Sequence, residues 1–201
     1  MKQHQITGSP NRCVFLDRDG VLNKSIVRGG KPYPPNSAEE LEVYPDVPGG
    51  CERLKQAGFL LVTVTNQPDV GRGKQTRVAV EAINQKLSEI IGVLDRFEVC
   101  FHAGADYGEP CDCRKPAAGM VYRAAGALKI DLASSFMIGD RWQDVDCAHA
   151  AGCRAIFIDH GYAEPLRQKP DITVKTFGEA VEAVLNDDRE RGTLLRQALT
   201  P

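Results

Sequence analysis

Two aspartates spaced two apart, Asp17 and Asp19, follow the apolar run Cys13–Leu16 and lead into Gly20. An apolar run of this length reads as a buried strand. Side chains alternate along a strand, so the two carboxylates stand near each other at its end in different settings. That arrangement suits phosphoryl transfer through an aspartyl-phosphate, with Asp17 attacking phosphorus and Asp19 handling the proton. A strand closing in a solvated acidic turn would carry the same residues.

Other polar groups follow apolar runs further along the chain. Thr65-Asn66-Gln67 ends the run from Phe59, Gly139-Asp140 ends the run from Ser135, and Asp144 lies four residues on. Arg114-Lys115-Pro116 ends a loop. Each alone fits a cap, a turn or a surface charge. Together they supply a nucleophile, an acid/base, a hydroxyl donor, a cation and further carboxylates. Asp17, Asp19 and Asp140 clustered without compensation would repel one another, and a hard divalent cation resolves the conflict. Mg²⁺ prefers carboxylate, carbonyl and water oxygens. Bridging Asp17, Asp140 and a phosphate oxygen, it would let an anionic nucleophile approach an anionic substrate. Thr65 and Lys115 would then hold the phosphoryl oxygens.

A second set is more specific in its spacing: Cys100-x-His102, eight residues, then Cys111-x-Cys113. Residues i and i+2 of an extended segment point the same way. Gly104, Gly108 and Pro110 allow the intervening loop to fold back. Three thiolates and an imidazole make a closed tetrahedral zinc set, with no open position for catalysis. The expected role is structural, fixing the loop that carries Arg114 and Lys115. A redox pair at Cys111 and Cys113, or unpaired cysteines at a loop, are the other readings of these thiols. Cys13, Cys51, Cys147 and Cys153 read as core fillers, and His4, His149 and His160 have no partner pattern.

The elements that must position these groups alternate between strand and helix. Strands are expected at 12–17, 59–65, 97–102, 135–138, 154–158 and, briefly, 173–174. Helices are expected from the Asp46 cap to about Gln56, and at 74–94, 117–129, 142–151 and 178–186. Residues 24–45 read as a long loop, and 187–201 as a charged C-terminal tail, either frayed or a terminal helix. This βαβα order predicts a parallel sheet covered on both faces, one domain over 1–201 with its core at about 11–187. Its 201 residues are 42% apolar and 26% charged, with a net charge of −2. That balance offers no basic footprint for nucleic acid and no membrane face. Met1–Gln5 lacks the apolar stretch of a secretory signal. Seven cysteines mixed with charged residues fit reduced thiols or metal ligands in a cytoplasm.

In this order the motifs resemble the haloacid dehalogenase superfamily of phosphohydrolases. Asp17-Arg18-Asp19-Gly20-Val21 is similar to its first motif, Thr65 to its second, Lys115 to its third, and Gly139-Asp140 with Asp144 to its fourth. Thr65-Asn66-Gln67…Arg72-Gly73, the Cys-x-His…Cys-x-Cys set and Cys113-Arg114-Lys115-Pro116 resemble the branch of D-glycero-D-manno-heptose 1,7-bisphosphate 7-phosphatases, which also includes histidinol-phosphate phosphatases. The resemblance covers roughly residues 11 to 160. It implies a Rossmann-like α/β/α fold without a large cap domain, an open site and a monomer. It makes Asp17 nucleophile and Mg²⁺ ligand, and Asp19 general acid and then base, with its backbone carbonyl on the metal. Asp140 completes the Mg²⁺ site, and Arg114 contributes to substrate recognition. Three segments depart from the branch: Pro68-Asp69 after Gln67, a shorter zinc loop, and Ser25–Lys31 where relatives carry a Gly-Tyr pair. Arg141 also stands where many relatives have lysine.

The expected activity is Mg²⁺-dependent hydrolysis of a small sugar phosphate, with heptose 1,7-bisphosphate foremost. Asn66, Gln67, Arg72, Arg114, Arg141, Ser25 and Arg28 are candidate substrate contacts, and the arginines exceed what one phosphate requires. Histidinol phosphate stays open, with Asp69 as partner for its amine. A non-catalytic zinc-organised binding module is the reading from another class.

Overall fold

A computed structural model describes residues 10–198. The chain runs β1 (Arg12–Leu16), β2 (Ile26–Arg28), β3 (Lys31–Tyr33), α1 (Val47–Gln56), β4 (Phe59–Asn66), α2 (Pro68–Gly71) and α3 (Arg77–Ile91). It continues with β5 (Arg96–Cys100), α4 (Gly119–Leu128), β6 (Phe136–Gly139), α5 (Trp142–Ala151), β7 (Arg154–Ile158), β8 (Ile172–Val174) and α6 (Phe177–Ala198). Six strands form one parallel sheet in the order β5-β4-β1-β6-β7-β8, as the alternation predicts.

Alternation along β1 builds the three layers. Val14 and Leu16 face a core shared with Leu54 of α1, Leu87 of α3 and Val181 of α6. Cys13 and Phe15 face the other core, with Met120 and Val121 of α4 and Val145 and Ala148 of α5. Both faces are apolar because both are covered. Cys13, Cys51, Cys147 and Cys153 are buried in these cores as fillers, and burial pushes the Cys51 thiol up to about 12.

Register sets the site. Leu16 pairs with Thr63 on one side and Ile138 on the other, so the C-terminal ends of β1, β4 and β6 lie side by side. The chain leaves β1 for β4 and β5 in one direction and returns through β6, β7 and β8 in the other. Ligands bind at such a switch point in open α/β sheets.

The expected long loop at 24–45 instead holds the antiparallel β2–β3 hairpin. Gly29 and Gly30 both have positive φ (58° and 74°), the geometry of a two-residue hairpin turn between strand-forming residues. The helix expected at 74–94 begins later, at Arg77, where the Thr76 hydroxyl accepts from the Ala79 N–H, and ends at Gly92. Asp46 precedes α1 but does not cap it with its side chain. Its Oδ2 accepts from Gly178 N at 2.9 Å and so holds the start of α6. α6 continues to Ala198, so among the described residues the charged C-terminal stretch takes the terminal-helix form rather than that of a frayed tail. The rest of that tail, 199–201, and the Met1–Gln5 and His4 readings lie outside the described residues.

Candidate active site

A cleft of about 270 Å³ opens over the C-terminal ends of β1 and β4. Asp17, Asp19, Thr65, Lys115 and the substrate candidates Asn66, Gln67, Arg72, Arg114, Arg141 and Ser25 line it. Arg28 is not in this lining; it lies on β2 with its guanidinium 5.9 Å over the Tyr33 ring.

Asp17 Oδ1 accepts from Arg18 N at 2.7 Å and pairs with Lys115 Nζ at 2.8 Å. Lys115 Nζ also pairs with Asp144 Oδ1 at 2.6 Å and donates to the Val64 carbonyl at 2.8 Å. The ammonium is thus held between two carboxylates and a carbonyl, and gripping a phosphoryl oxygen requires it to share or exchange one of these partners. Burial foremost, then Asp144, raises Asp17 to about 7 against the opposing pull of Lys115. The two flanking carboxylates raise Lys115 further even though burial alone would lower it.

Asp140 is 1% exposed, and both its carboxylate oxygens are buried without a hydrogen-bond partner. Gly20 (φ +93°) lets the β1 loop approach it, since a Cβ there would sit 1.8 Å from Asp140 Oδ2. Burial, then Asp17 and Asp144, hold Asp140 well above the ordinary carboxylate range. Oxygens of Asp17, Asp140 and Asp144 lie within 4.8 Å of one another. Two orphaned buried oxygens among like charges are what a hard cation satisfies, so the donor set fits Mg²⁺. Asp144 joins the cluster, while the Asp19 side chain turns elsewhere.

Asp19 accepts from Gln67 Nε2 at 2.8 Å, Asn23 Nδ2 at 3.0 Å and Arg18 Nη2 at 2.9 Å. Arg18 is fully buried, and its Nη1 donates to Asn84 Oδ1 on α3 at 2.9 Å. Gln67 Nε2 also donates to the Thr65 hydroxyl oxygen at 2.9 Å, leaving the Thr65 proton to donate. Asn66 accepts from Lys115 N at 3.0 Å and donates to Lys115 O at 3.1 Å. Asn66 and Gln67 therefore line the cleft while bracing Lys115 and Asp19.

The zinc candidates converge. His102 Nδ1 lies 3.5 Å from Cys100 Sγ and 3.1 Å from Cys113 Sγ, and Cys100 Sγ lies 3.8 Å from Cys111 Sγ and 3.3 Å from Cys113 Sγ. All four ligand atoms lie within 4.8 Å of one another, and the cysteines are free thiols. Zn–S bonds of about 2.3 Å place tetrahedral sulfurs about 3.8 Å apart, so the set fits zinc.

The rim arginines have partners. Arg72 Nη1 meets Asp69 Oδ1 at 3.5 Å and its Nε donates to the Ala103 carbonyl at 3.0 Å. Arg141 is bidentate on Glu164. Arg114 keeps a buried Nη1 without a hydrogen-bond partner. Sequence reasoning missed Glu164, Gln143 and Tyr33 in the lining, and also Asn84 and His160, whose Nε2 donates to Gly20 O at 2.7 Å. Gln143 falls between Asp140 and Asp144 but is not one of the residues that define that motif, and the others lie outside the strand-end motifs, so no local signal marked them.

A HAD-hydrolase-like family profile matches residues 112–180. The D-glycero-beta-D-manno-heptose-1,7-bisphosphate 7-phosphatase of Haemophilus ducreyi is 37% identical over 151 residues, 71% of this chain and 80% of its own. The D-glycero-D-manno-heptose-1,7-bisphosphate 7-phosphatase of Thermosynechococcus vestitus is 31% identical over 192 residues, 86% of this chain and 95% of its own. The crystal structure of D,D-heptose 1,7-bisphosphate phosphatase from B. bronchiseptica, complexed with magnesium and phosphate, superposes with a TM-score of 0.73 at 27% identity. It covers 88% of this chain and 99% of that one. With both shared sequence and shared fold over most of its length, the chain belongs to the D-glycero-D-manno-heptose-1,7-bisphosphate 7-phosphatase family of haloacid dehalogenase-like phosphatases.

Proposed function

We propose that the protein removes the 7-phosphate of D-glycero-D-manno-heptose 1,7-bisphosphate. The observation that carries the reading is Asp17 beside Lys115, with the unpartnered oxygens of Asp140 in the same carboxylate cluster. Asp17, Asp140 and the Asp19 backbone carbonyl would hold Mg²⁺, with Asp144 adjoining. When bound, the ion supplies positive charge between the carboxylates and the phosphoryl group.

An Asp17 carboxylate oxygen attacks phosphorus as the bond from phosphorus to the C7 oxygen breaks. Asp19 delivers a proton to that leaving oxygen. Water then attacks the aspartyl-phosphate and gives its proton to Asp19, and the oxygen–phosphorus bond to Asp17 breaks, releasing inorganic phosphate. Thr65 and Lys115 stabilise the equatorial oxygens. Arg114, whose buried Nη1 has no hydrogen-bond partner, suits the second phosphate. Asp69 already faces Arg72, which weakens the case for an amine substrate.

Cys100, His102, Cys111 and Cys113 hold a structural zinc that fixes the loop leading into Arg114 and Lys115. The reading includes a cytoplasmic monomer acting on a small molecule, with no nucleic-acid or membrane partner. No helix among the described residues is long and apolar enough to cross a membrane.

The test is kcat/KM with Mg²⁺ for both anomers of heptose 1,7-bisphosphate, fructose 1,6-bisphosphate and histidinol phosphate. A heptose bisphosphate preferred by orders of magnitude is expected. A flat profile, or preference for histidinol phosphate, overturns the substrate.

A further inference from the structure

Arg141 sits between Asp140 and the α5 helix, and its backbone N–H donates to Asp144 Oδ2 at 3.0 Å. Its side chain leaves the metal cluster and forks onto Glu164, which lies in the irregular segment joining β7 to β8. Arg141 Nε donates to Glu164 Oε2 at 2.9 Å, and Nη2 pairs with Oε1. A bidentate fork fixes both planes. The pair lines the catalytic cleft on one side and a second cavity of about 260 Å³ on the other. It is therefore a partition, with side chains 31% and 21% exposed.

The charge of this wall follows. Arg141 alone would present a phosphate-binding guanidinium next to the reacting centre. Glu164 cancels that charge and takes the directed N–H groups. Each Glu164 oxygen still has a lone pair after accepting one N–H, and a carboxylate accepts strongly from hydroxyls. Elsewhere in the same lining, Arg114 keeps a buried guanidinium nitrogen without a hydrogen-bond partner. The Arg141–Glu164 part of the lining is thus net neutral and rich in acceptors, and the Arg114 part is cationic.

We infer that Glu164 is a specificity-determining residue: the Arg141–Glu164 pair reads hydroxyl groups of a polyol leaving group, while anionic substituents are directed to the Arg114 side. This rests on the phosphatase reading above and adds the substrate class that this wall selects. An acid placed where a phosphatase gains most from positive charge disfavours compact, hydroxyl-free phosphates.

The test compares wild type with Glu164→Gln and Glu164→Asp on a heptose bisphosphate, fructose 1,6-bisphosphate and an aryl phosphate, with inorganic phosphate as competitive inhibitor. Gln keeps the shape and one acceptor but removes the charge. Its KM for polyol substrates is expected to rise about tenfold, the loss of one charge-assisted hydrogen bond, with the effect in KM rather than kcat. Its KM for the aryl phosphate and its Ki for phosphate are expected to fall, because Arg141 is no longer neutralised. Asp, which retains the charge, is expected to keep Ki near the wild-type value. Polyol and aryl KM values that shift by the same factor, or a Ki that does not fall in Gln, overturn the inference. A wild type without heptose preference refutes the proposed substrate instead, and the variant ratios on fructose bisphosphate still decide the role of Glu164. If Gln does not fold, the Asp variant decides: its shorter reach must raise polyol KM selectively.

Discussion

Asp140→Asn is expected to stabilise the metal-free protein while abolishing its response to Mg²⁺. Asp140 is 1% exposed, its oxygens have no donor, and its ligand oxygen lies within 4.8 Å of those of Asp17 and Asp144. At an effective dielectric of about 20, two unit charges at that distance repel by roughly 3.5 kcal/mol. Lys115 offsets only one of the three carboxylates. Asparagine keeps the volume beside Gly20, removes the charge and adds a donor. A gain of roughly 2–3 kcal/mol follows at pH 8, or about 4–12 °C in Tm for a chain of this size. The sign with pH is fixed by Asp17, raised from 3.8 to about 7, and by Asp140, raised as well. A carboxyl whose folded pKa is raised contributes stability that is present below its unfolded pKa and lost as pH rises through the folded one. Metal-free wild type is thus more stable at pH 5 than at pH 8 on this account, and the advantage of Asp140→Asn shrinks at pH 5. Thermal denaturation in EDTA and in MgCl₂ at both pH values is the assay. A lower Tm for the variant at pH 8 without metal refutes the argument, as does a Mg²⁺-induced rise equal to that of wild type.

Asp19→Asn removes the proposed proton donor and is expected to slow turnover of an alkyl phosphate by about 10²–10⁴-fold; near-normal turnover would remove Asp19 from that role. Asn66→Ala deletes both hydrogen bonds to the Lys115 backbone and is expected to lower kcat about tenfold or more, while Asn66→Asp, which keeps the acceptor for Lys115 N, recovers part of it. Equal kcat for Ala and wild type would show that Lys115 needs no brace. Zinc removal is expected to lower Tm by several degrees, about 1–3 kcal/mol, with little change in the Mg²⁺ concentration for half-maximal activity. Elemental analysis that finds no zinc in protein purified without added metal would refute the assignment.

Much of this protein is determined locally by its sequence. Short continuous apolar runs, closed by Asp17, Thr65 and Asp140, place those residues at strand ends, because the length of a run and the polar residues that close it are local properties. The alternation of strands with helices then requires parallel pairing, which brings those ends together. The Cys-x-His…Cys-x-Cys spacing likewise fixes a four-donor set. Tertiary structure alone decided which partners the polar groups chose. Asn66 and Gln67 sit in a strand-end motif that suggests substrate contact, yet their amides are committed to Lys115 and Asp19. Arg141 looks like a free phosphate ligand until Glu164, 23 residues later on an aperiodic segment, is folded against it. Arg18, which the sequence marks only as part of the first motif, is fully buried with Asn84 of α3 and Asp19 on its guanidinium. Periodicity records which face of an element is buried. It carries no record of which donor meets which acceptor across the sheet, because that choice depends on register and on loops whose ends are set by long-range packing.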